Sequence, residues 1–327
     1  MNFKEVLLSH YGVRAQHIDP TPGGWSADAY RVLAEDGAYF LKVYDADRPT
    51  IQPWIERMAR YIPAVAFLQA QPDIGPCMVP MLRTMDGGFR VETAHRIFML
   101  FPLVEGVVPG ETPLTNAQTC ELASILARLH GYAAEQLPAS CRNIEEELSL
   151  PFCENLRAIL ERTAELPARL QLTLTSSRQL LQDTAEITLA LRDAVRQSCT
   201  SLVLCHTDAH NWNVIQSDRL ILLDWEGLCL APPEADLYAF WEREEFSVFW
   251  EAYAAVRTGF QMNERLAFFY AFRRKTEDIW EFIAQILMDG LDDDAQQRAY
   301  GHLACELERL RALWARFAAQ GMGEERA

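Results

Sequence analysis

The chain has 327 residues, half of them apolar and 23% charged, the balance of a soluble globular protein with room for two lobes and a substantial core. A formal net charge of −16 disfavours nucleic acid and anionic membranes, which need concentrated positive charge, and would attract a cationic small molecule or simply aid solubility. No run of about 18 uncharged apolar residues suggests a membrane span, and the opening MNFKEVLLSHYGV lacks the basic start and unbroken apolar stretch of an export signal, so the expected location is the cytoplasm.

The first hundred residues read as strand-rich after an opening helix. TPGGWSADAYRV places Gly23, Gly24 and Ser26 between two strands, where small residues let backbone N–H groups approach phosphate oxygens; a plain tight turn would look the same. AYRVLAEDGAYFLKVY forms two β-branched and aromatic runs joined at Glu35-Asp36-Gly37, hence a hairpin. Lys42 lies inside its second run, where a lysine ordinarily snorkels or faces solvent. WIERMARYIPAVAFLQA has helical periodicity, and MVPMLRTMDGGFRVETAHRIFMLFPLVEG predicts a second hairpin turning at Asp86-Gly87-Gly88. One helix among some five antiparallel strands predicts a small α+β lobe over residues 1–101. Pro102, Gly106, Pro109 and Gly110 then interrupt the pattern, which makes 102–110 the expected connector.

From Thr115 helix dominates, and residues 111–327 are expected to form a larger, mainly helical lobe. Leu122, Ile125, Leu126 and Leu129 make an i, i+3, i+4, i+7 stripe ending near His130. CENLRAILERTAELPARLQ, RQLLQDTAEITLALRDAVRQ, AFFYAFRRKTEDIWEFIAQIL and ACELERLRALWARFAAQ are helical by period. The eight cysteines (Cys77, Cys120, Cys141, Cys153, Cys199, Cys205, Cys229 and Cys305) include no C-x-x-C pair, so scattered buried thiols are expected rather than a zinc ribbon or disulfide framework.

LCHTDAHNWNVIQSDRLILLDWEG, Leu204 to Gly227, concentrates the chemistry. His206, Asp208 and His210 could begin a hydrolytic zinc site, which needs three protein ligands and an open position. The five other histidines form no second ligand-like cluster, and this reading leaves Asn213 and Asp224 unexplained. Phosphoryl transfer accounts for more positions. In an H-x-D-x-x-x-x-N loop the acid orients or deprotonates the attacking hydroxyl and the amide holds magnesium, while a second acid beyond a short hairpin also binds the metal. Here Asp208 precedes Asn213 by five positions, and VIQSDRLILLDW forms strand, turn and strand up to Asp224. Carboxylate and amide oxygens suit magnesium better than zinc.

These motifs, in this order, resemble the aminoglycoside phosphotransferase family, whose fold is related to that of protein kinases and choline kinases. The likeness runs from Gly23 through Asp236; LARLH at residues 126–130, FPLVEG at 101–106 and LAPPEADL at 230–237 share it, and the wording is closest to the spectinomycin phosphotransferase branch. The resemblance implies a two-lobed kinase-like fold, ATP and magnesium as cofactors, and a small cationic or sugar-like acceptor, with no protein partner. It implies Asp208 as the catalytic base or orienting acid and Asn213 and Asp224 on the metal. It further implies Gly23, Gly24, Ser26 and Lys42 at the phosphates, Glu56 as the acidic partner of Lys42, and the Phe101 carbonyl and Leu103 N–H at the adenine edge. His206 would shape the loop.

There are departures. Asp224-Trp225-Glu226 stands where protein kinases have D-F-G, and neither an A-P-E segment nor a long loop precedes Asp236, which argues against a protein substrate. Acceptor candidates are Trp241, Tyr270, Glu277 and Asp278, through stacking and charge-assisted bonds, although these helices also need a core stripe and a solvated face. A metabolic kinase of choline, homoserine, fructosamine or thiosugar type is the alternative. A nucleotide-binding pseudokinase is disfavoured because Lys42, Asp208, Asn213 and Asp224 are all present.

Overall fold

The computed structural model describes residues 2–24, 26–197, 201–241 and 243–321. In chain order its main elements are α1 (Phe3–Val6), β1 (Ala15–Thr21), β2 (Asp28–Ala34), β3 (Gly37–Asp45), α2 (Gln52–Gln69), β4 (Val91–Glu92), β5 (Arg96–Pro102) and α3 (Asn116–Leu129). There follow α4 (Pro151–Glu161), α5 (Ala168–Ser176), α6 (Arg178–Gln197), β6 (Val203–Cys205), β7 (Val214–Gln216), β8 (Leu220–Leu222) and β9 (Cys229–Ala231). The chain ends with α7 (Glu234–Trp241), α8 (Phe246–Val256), α9 (Glu264–Met288) and α10 (Asp293–Ala319). One compact unit comprises Met1–Glu145, Leu202–Ala231 and Arg243–Phe260; the other comprises Glu146–Ser201, Pro232–Glu242 and Gln261–Ala327. The expected connector at 102–110 falls within the first.

In the first unit an antiparallel sheet runs in the order β1-β2-β3-β5-β4. Successive side chains of a strand point to opposite faces, and β3 uses this to separate core from chemistry. Leu41 and Val43 join Val6, Leu7, Val13, Val32, Val91, Phe98 and Leu100 in an apolar cluster. Lys42 and Tyr44 lie on the other face, opposite Met99 and Ile97 of β5. Tyr61 of α2 brings its hydroxyl to 4.0 Å from the Met99 sulfur, and Met58, Ile62, Val65 and Leu68 of the same helix are buried.

Asp86-Gly87-Gly88 does form a tight turn, closed by Thr84 N–H donating to the Gly88 carbonyl at 2.9 Å. Its flanks are not paired strands, however. The second antiparallel pair is β4 with β5 and turns at 93–95, because the segment before β4 sends N–H groups to other partners: Met85 to the His10 carbonyl and Leu82 to the Leu100 carbonyl. A reciprocal capping box between Thr115 and Gln118 starts α3, and its stripe of Leu122, Ile125, Leu126 and Leu129 is fully buried. The C-terminal part of the unit supplies two short ladders, β6 with β9 and β7 with β8.

The second unit is built on α9, which packs against α10, α6, α7 and α4. Phe268, Phe269 and Phe272 of α9 are completely buried, as is Phe317 of α10. The segment expected as one helix over 153–171 is broken into α4 and α5, since Pro167 has no N–H to continue the ladder. Asp236, on the first turn of α7, is buried at 2% exposure. Of the described cysteines all are free; Cys305 is exposed, against expectation, on the solvent face of α10, and Cys199 lies outside the described residues. Among the described residues no helix is long and apolar enough to cross a membrane.

Candidate functional site

Part of the chemistry-bearing set expected in the first unit comes together. Lys42 Nζ lies 2.8 Å from Asp224 Oδ1 and 2.7 Å from Glu226 Oε1, although 182 and 184 residues separate them in the chain. The Glu226 carboxylate also accepts from the Tyr44 hydroxyl, and the Ser26 hydroxyl stands 3.5 Å from Oε2. Burial opposes the charge on Lys42, but Asp224 and Glu226 outweigh it and hold the ammonium above the usual lysine range. Burial, reinforced by the charge of Asp224, raises the Glu226 carboxyl despite the opposing pull of Lys42 and Tyr44.

Asp208 sits in a loop whose backbone is fixed from several sides. Asn213 Nδ2 donates to Asp208 Oδ2 at 2.7 Å and to its carbonyl at 2.9 Å, and His210 Nε2 lies 3.4 Å from Oδ1. The Asn213 carbonyl accepts from Leu223 N–H at 2.8 Å, which ties this loop to the residue preceding Asp224. His206 is completely buried; its Nδ1 accepts from Asp208 N–H at 3.3 Å and its Nε2–H donates to the Leu223 carbonyl at 2.8 Å. The Trp225 ring packs edge-on to it at 4.8 Å between centroids. Thr207 and Asp224 both adopt left-handed backbone, with φ of 68° and 59°. Gly227 packs so closely beneath that a Cβ there would lie 2.9 Å from the His206 carbonyl oxygen.

The glycine-rich turn behaves unevenly. A Cβ on Gly23 would fall 2.6 Å from the Cβ of Ala29, so only glycine fits, whereas Gly24 faces open space. Ser26 is buried beside Glu226.

Two expectations need correction. Glu56 is exposed on α2, and the carboxylates that pair with Lys42 are Asp224 and Glu226. The Leu103 N–H is already used, donating to the Ala38 carbonyl at 3.0 Å as β5 continues its pairing with β3. Phe40 is opposite Phe101 in that register, and antiparallel pairing alternates direction residue by residue. The backbone groups of both Phe101 and Leu103 therefore face β3, and the Pro102 carbonyl faces the opposite edge. Sequence reasoning missed Tyr44 and Glu226. Tyr44 could have been found as the residue two positions beyond Lys42 on the same face of a strand; nothing local marks Glu226 as its partner.

The four acceptor candidates lie in the second unit, and three have structural partners there. The Arg316 guanidinium sits 4.1 Å over the Trp241 ring, and Phe268 meets the same ring at 4.9 Å. Tyr270 donates to the buried Glu146 carboxylate, which also pairs with Arg273. Asp278 pairs with Arg274 at 2.8 Å and lies 3.6 Å from Lys275. Glu277 is half-buried on the same helix.

The donor set fits magnesium. Asn213 spends its NH2 on Asp208, which leaves its amide oxygen as a donor to a cation, and Asp224 offers the oxygen that Lys42 does not hold. Hard oxygen donors of this kind are magnesium ligands. Zinc fits poorly, because both ring nitrogens of His206 are committed to backbone groups.

The profile of the phosphotransferase enzyme family matches residues 17–269. No curated protein matches the chain in sequence. Among solved structures, spectinomycin phosphotransferase APH(9)-Ia in complex with ADP and spectinomycin superposes with a TM-score of 0.75 at 18% identity, covering 95% of this chain and 97% of that one. Aminoglycoside phosphotransferase APH(4)-Ia, in a ternary complex with AMP-PNP and hygromycin B, gives 0.60 at 13% identity over 95% and 97%. The macrolide 2'-phosphotransferase MphH of Brachybacterium faecium gives 0.55 at 17% identity over 92% and 97%.

Proposed function

The chain belongs to the phosphotransferase enzyme family, and from that premise we propose that it transfers the γ-phosphate of ATP to a hydroxyl of an aminoglycoside or aminocyclitol. The observation that carries this reading is the Lys42–Asp224 pair at 2.8 Å, in the same unit as Asp208 and Asn213. A strand lysine, two acids and an amide in this arrangement serve phosphoryl transfer, where positioning and charge neutralisation matter more than covalent chemistry by the protein.

In this reading Asp208 receives the acceptor hydroxyl, orienting it and accepting its proton. The bond from Asn213 leaves the Asp208 carboxylate one fixed orientation, and His206 fixes its backbone. Lys42 neutralises the nucleotide phosphates. Asn213 and Asp224 would hold magnesium, which when bound shields the charge of the phosphate oxygens. Gly23 allows the turn to approach the phosphates, with Gly24 and Ser26 completing it. At the adenine edge the proposed acceptor is the Pro102 carbonyl, with the next N–H on that edge, Val104, as donor. In the second unit Glu277, Tyr270, Trp241 and Asp278 stay the proposed acceptor-recognition groups, now joined by Glu146. Their carboxylates suit an amine-bearing acceptor.

The test is a phosphorylation screen with magnesium and ATP across spectinomycin, hygromycin-type aminoglycosides, choline, homoserine and sugar amines. Turnover of an aminocyclitol or aminoglycoside, abolished by Asp208→Asn with ATP binding and melting temperature retained, is expected. Turnover of choline or homoserine alone would replace the acceptor assignment, and near-normal activity of Asp208→Asn would remove the mechanism.

A further inference from the structure

Lys42 holds two carboxylates, and the proposed chemistry uses only one of them. Asp224 belongs to the metal in that reading, so its bond to Lys42 is shared with another duty. Glu226 has no such second task. It is buried at 9% exposure, and its oxygens are engaged by three donors, two from β3 and one from the glycine-rich turn: Lys42 Nζ at 2.7 Å, the Tyr44 hydroxyl, and the Ser26 hydroxyl at 3.5 Å. Glu56, the helix residue expected to hold the lysine, is exposed. We infer that Glu226 is the positioning carboxylate of Lys42, fixing the ammonium for the nucleotide phosphates and linking it to the glycine-rich turn through Ser26.

The placement follows from two local features. Strand alternation puts Lys42 and Tyr44 side by side on one face of β3, so a single carboxylate can reach both. The left-handed backbone at Asp224, φ 59°, followed by a single tight turn over 225–227, lets Asp224 and Glu226 meet the same ammonium from adjacent directions. A lysine ammonium has three N–H donors. Two are used on Asp224 and Glu226, and the third is left for phosphate. When Asp224 turns to the metal, Glu226 still holds Lys42 in place. Without Glu226 the long lysine side chain would follow whichever charge is nearest.

This inference rests on the nucleotide reading above, and binding measurements separate the two. Calorimetric titration would use ATP with and without magnesium chloride, and adenosine, which lacks the phosphates Lys42 reads. For Glu226→Gln the dissociation constant of ATP is expected to rise about tenfold or more, the effect of losing one hydrogen bond to a charged group. Adenosine affinity and the magnesium concentration for half-maximal activity should not change. Tyr44→Phe, which removes one donor and keeps the packing, should move ATP affinity in the same direction by less, and it keeps the test open if Glu226→Gln melts too early to assay. Glu56→Gln should bind ATP as the unmodified protein does. An unchanged ATP affinity in Glu226→Gln would overturn the inference, as would a defect that excess magnesium restores, which would place Glu226 on the metal. If the unmodified protein binds adenosine and ATP equally, or neither, the nucleotide reading itself falls.

Discussion

Gly227→Ala tests how tightly the two chemistry-bearing segments are packed. The added Cβ would lie 2.9 Å from the His206 carbonyl oxygen and closer still to the Thr207 hydroxyl oxygen. Real Cβ atoms do not tolerate this, so something must move. Thr207 cannot simply rotate away, because its hydroxyl donates to the Gly227 carbonyl at 3.1 Å and its backbone is already left-handed. Overpacking of this kind costs about 1–3 kcal/mol. The part that yields is residues 206–208, which carry Asp208, and a displacement of about 1 Å at a reacting group costs on the order of 100-fold in rate. The expected result is a melting temperature lower by several degrees, roughly 2–4 °C per kcal/mol, with turnover reduced far more than ATP affinity. Differential scanning calorimetry and steady-state kinetics on the acceptor found by the screen measure both. Unmodified stability and unmodified turnover would show that the segments are not in contact, and the site as described would be wrong.

Other changes have opposite or independent signs. Gly301→Ala lies inside α10, where an added Cβ meets nothing within 4 Å, so the variant should be more stable by about 0.5–1 kcal/mol in urea unfolding; destabilisation would contradict the packing of that face. Burial raises the Glu146 carboxyl above 4.5 despite Arg273 and Tyr270. Below 4.5 both states are protonated; above it the unfolded chain ionises first, so stability should fall with rising pH until the folded carboxyl also ionises. Glu146→Gln removes that slope, and identical pH profiles for both proteins would refute the assignment. Burial pushes the Cys153 thiol up to about 12, whereas Cys305 is exposed, so iodoacetamide at neutral pH should modify Cys305 first and Cys153 only after unfolding, as read by peptide mass spectrometry.

The features legible in the sequence are those in which local spacing and tertiary position coincide. The Glu35-Asp36 turn sets β2 against β3, and the alternation within β3 then puts Lys42 on the face away from Leu41 and Val43. The five-residue step from Asp208 to Asn213 produces a direct side-chain contact. Where partner choice was tertiary, the reading failed. Glu56 and Glu226 are both acids within plausible reach by sequence, and only the turn after Asp224 decides which one meets Lys42. The Leu103 N–H could be assigned only with the β3–β5 register in hand, since one residue of slip reverses every backbone group. For Trp241, Tyr270 and Asp278 the partners within their own unit were equally beyond sequence, because polar tips on an apolar helix serve recognition and helix packing alike.

His206 explains why the strained loop holds. Two non-glycine residues in left-handed backbone, Thr207 and Asp224, each carry a cost of about 1–3 kcal/mol, and such residues persist only where their surroundings leave no alternative. The imidazole supplies that constraint from between them: one nitrogen takes the N–H that follows Thr207, the other gives its proton to the carbonyl that precedes Asp224. A neutral ring with one donor and one acceptor is the side chain that can do both at once. The same occupancy that makes His206 a staple denies both its nitrogens to a metal, so the alternation of His206, Asp208 and His210 that resembles a zinc site is instead the trace of a loop folded around one buried ring. Asp208 and Asp224 stand on either side of that staple, so the geometry that the proposed phosphoryl transfer asks of them is set by a completely buried ring.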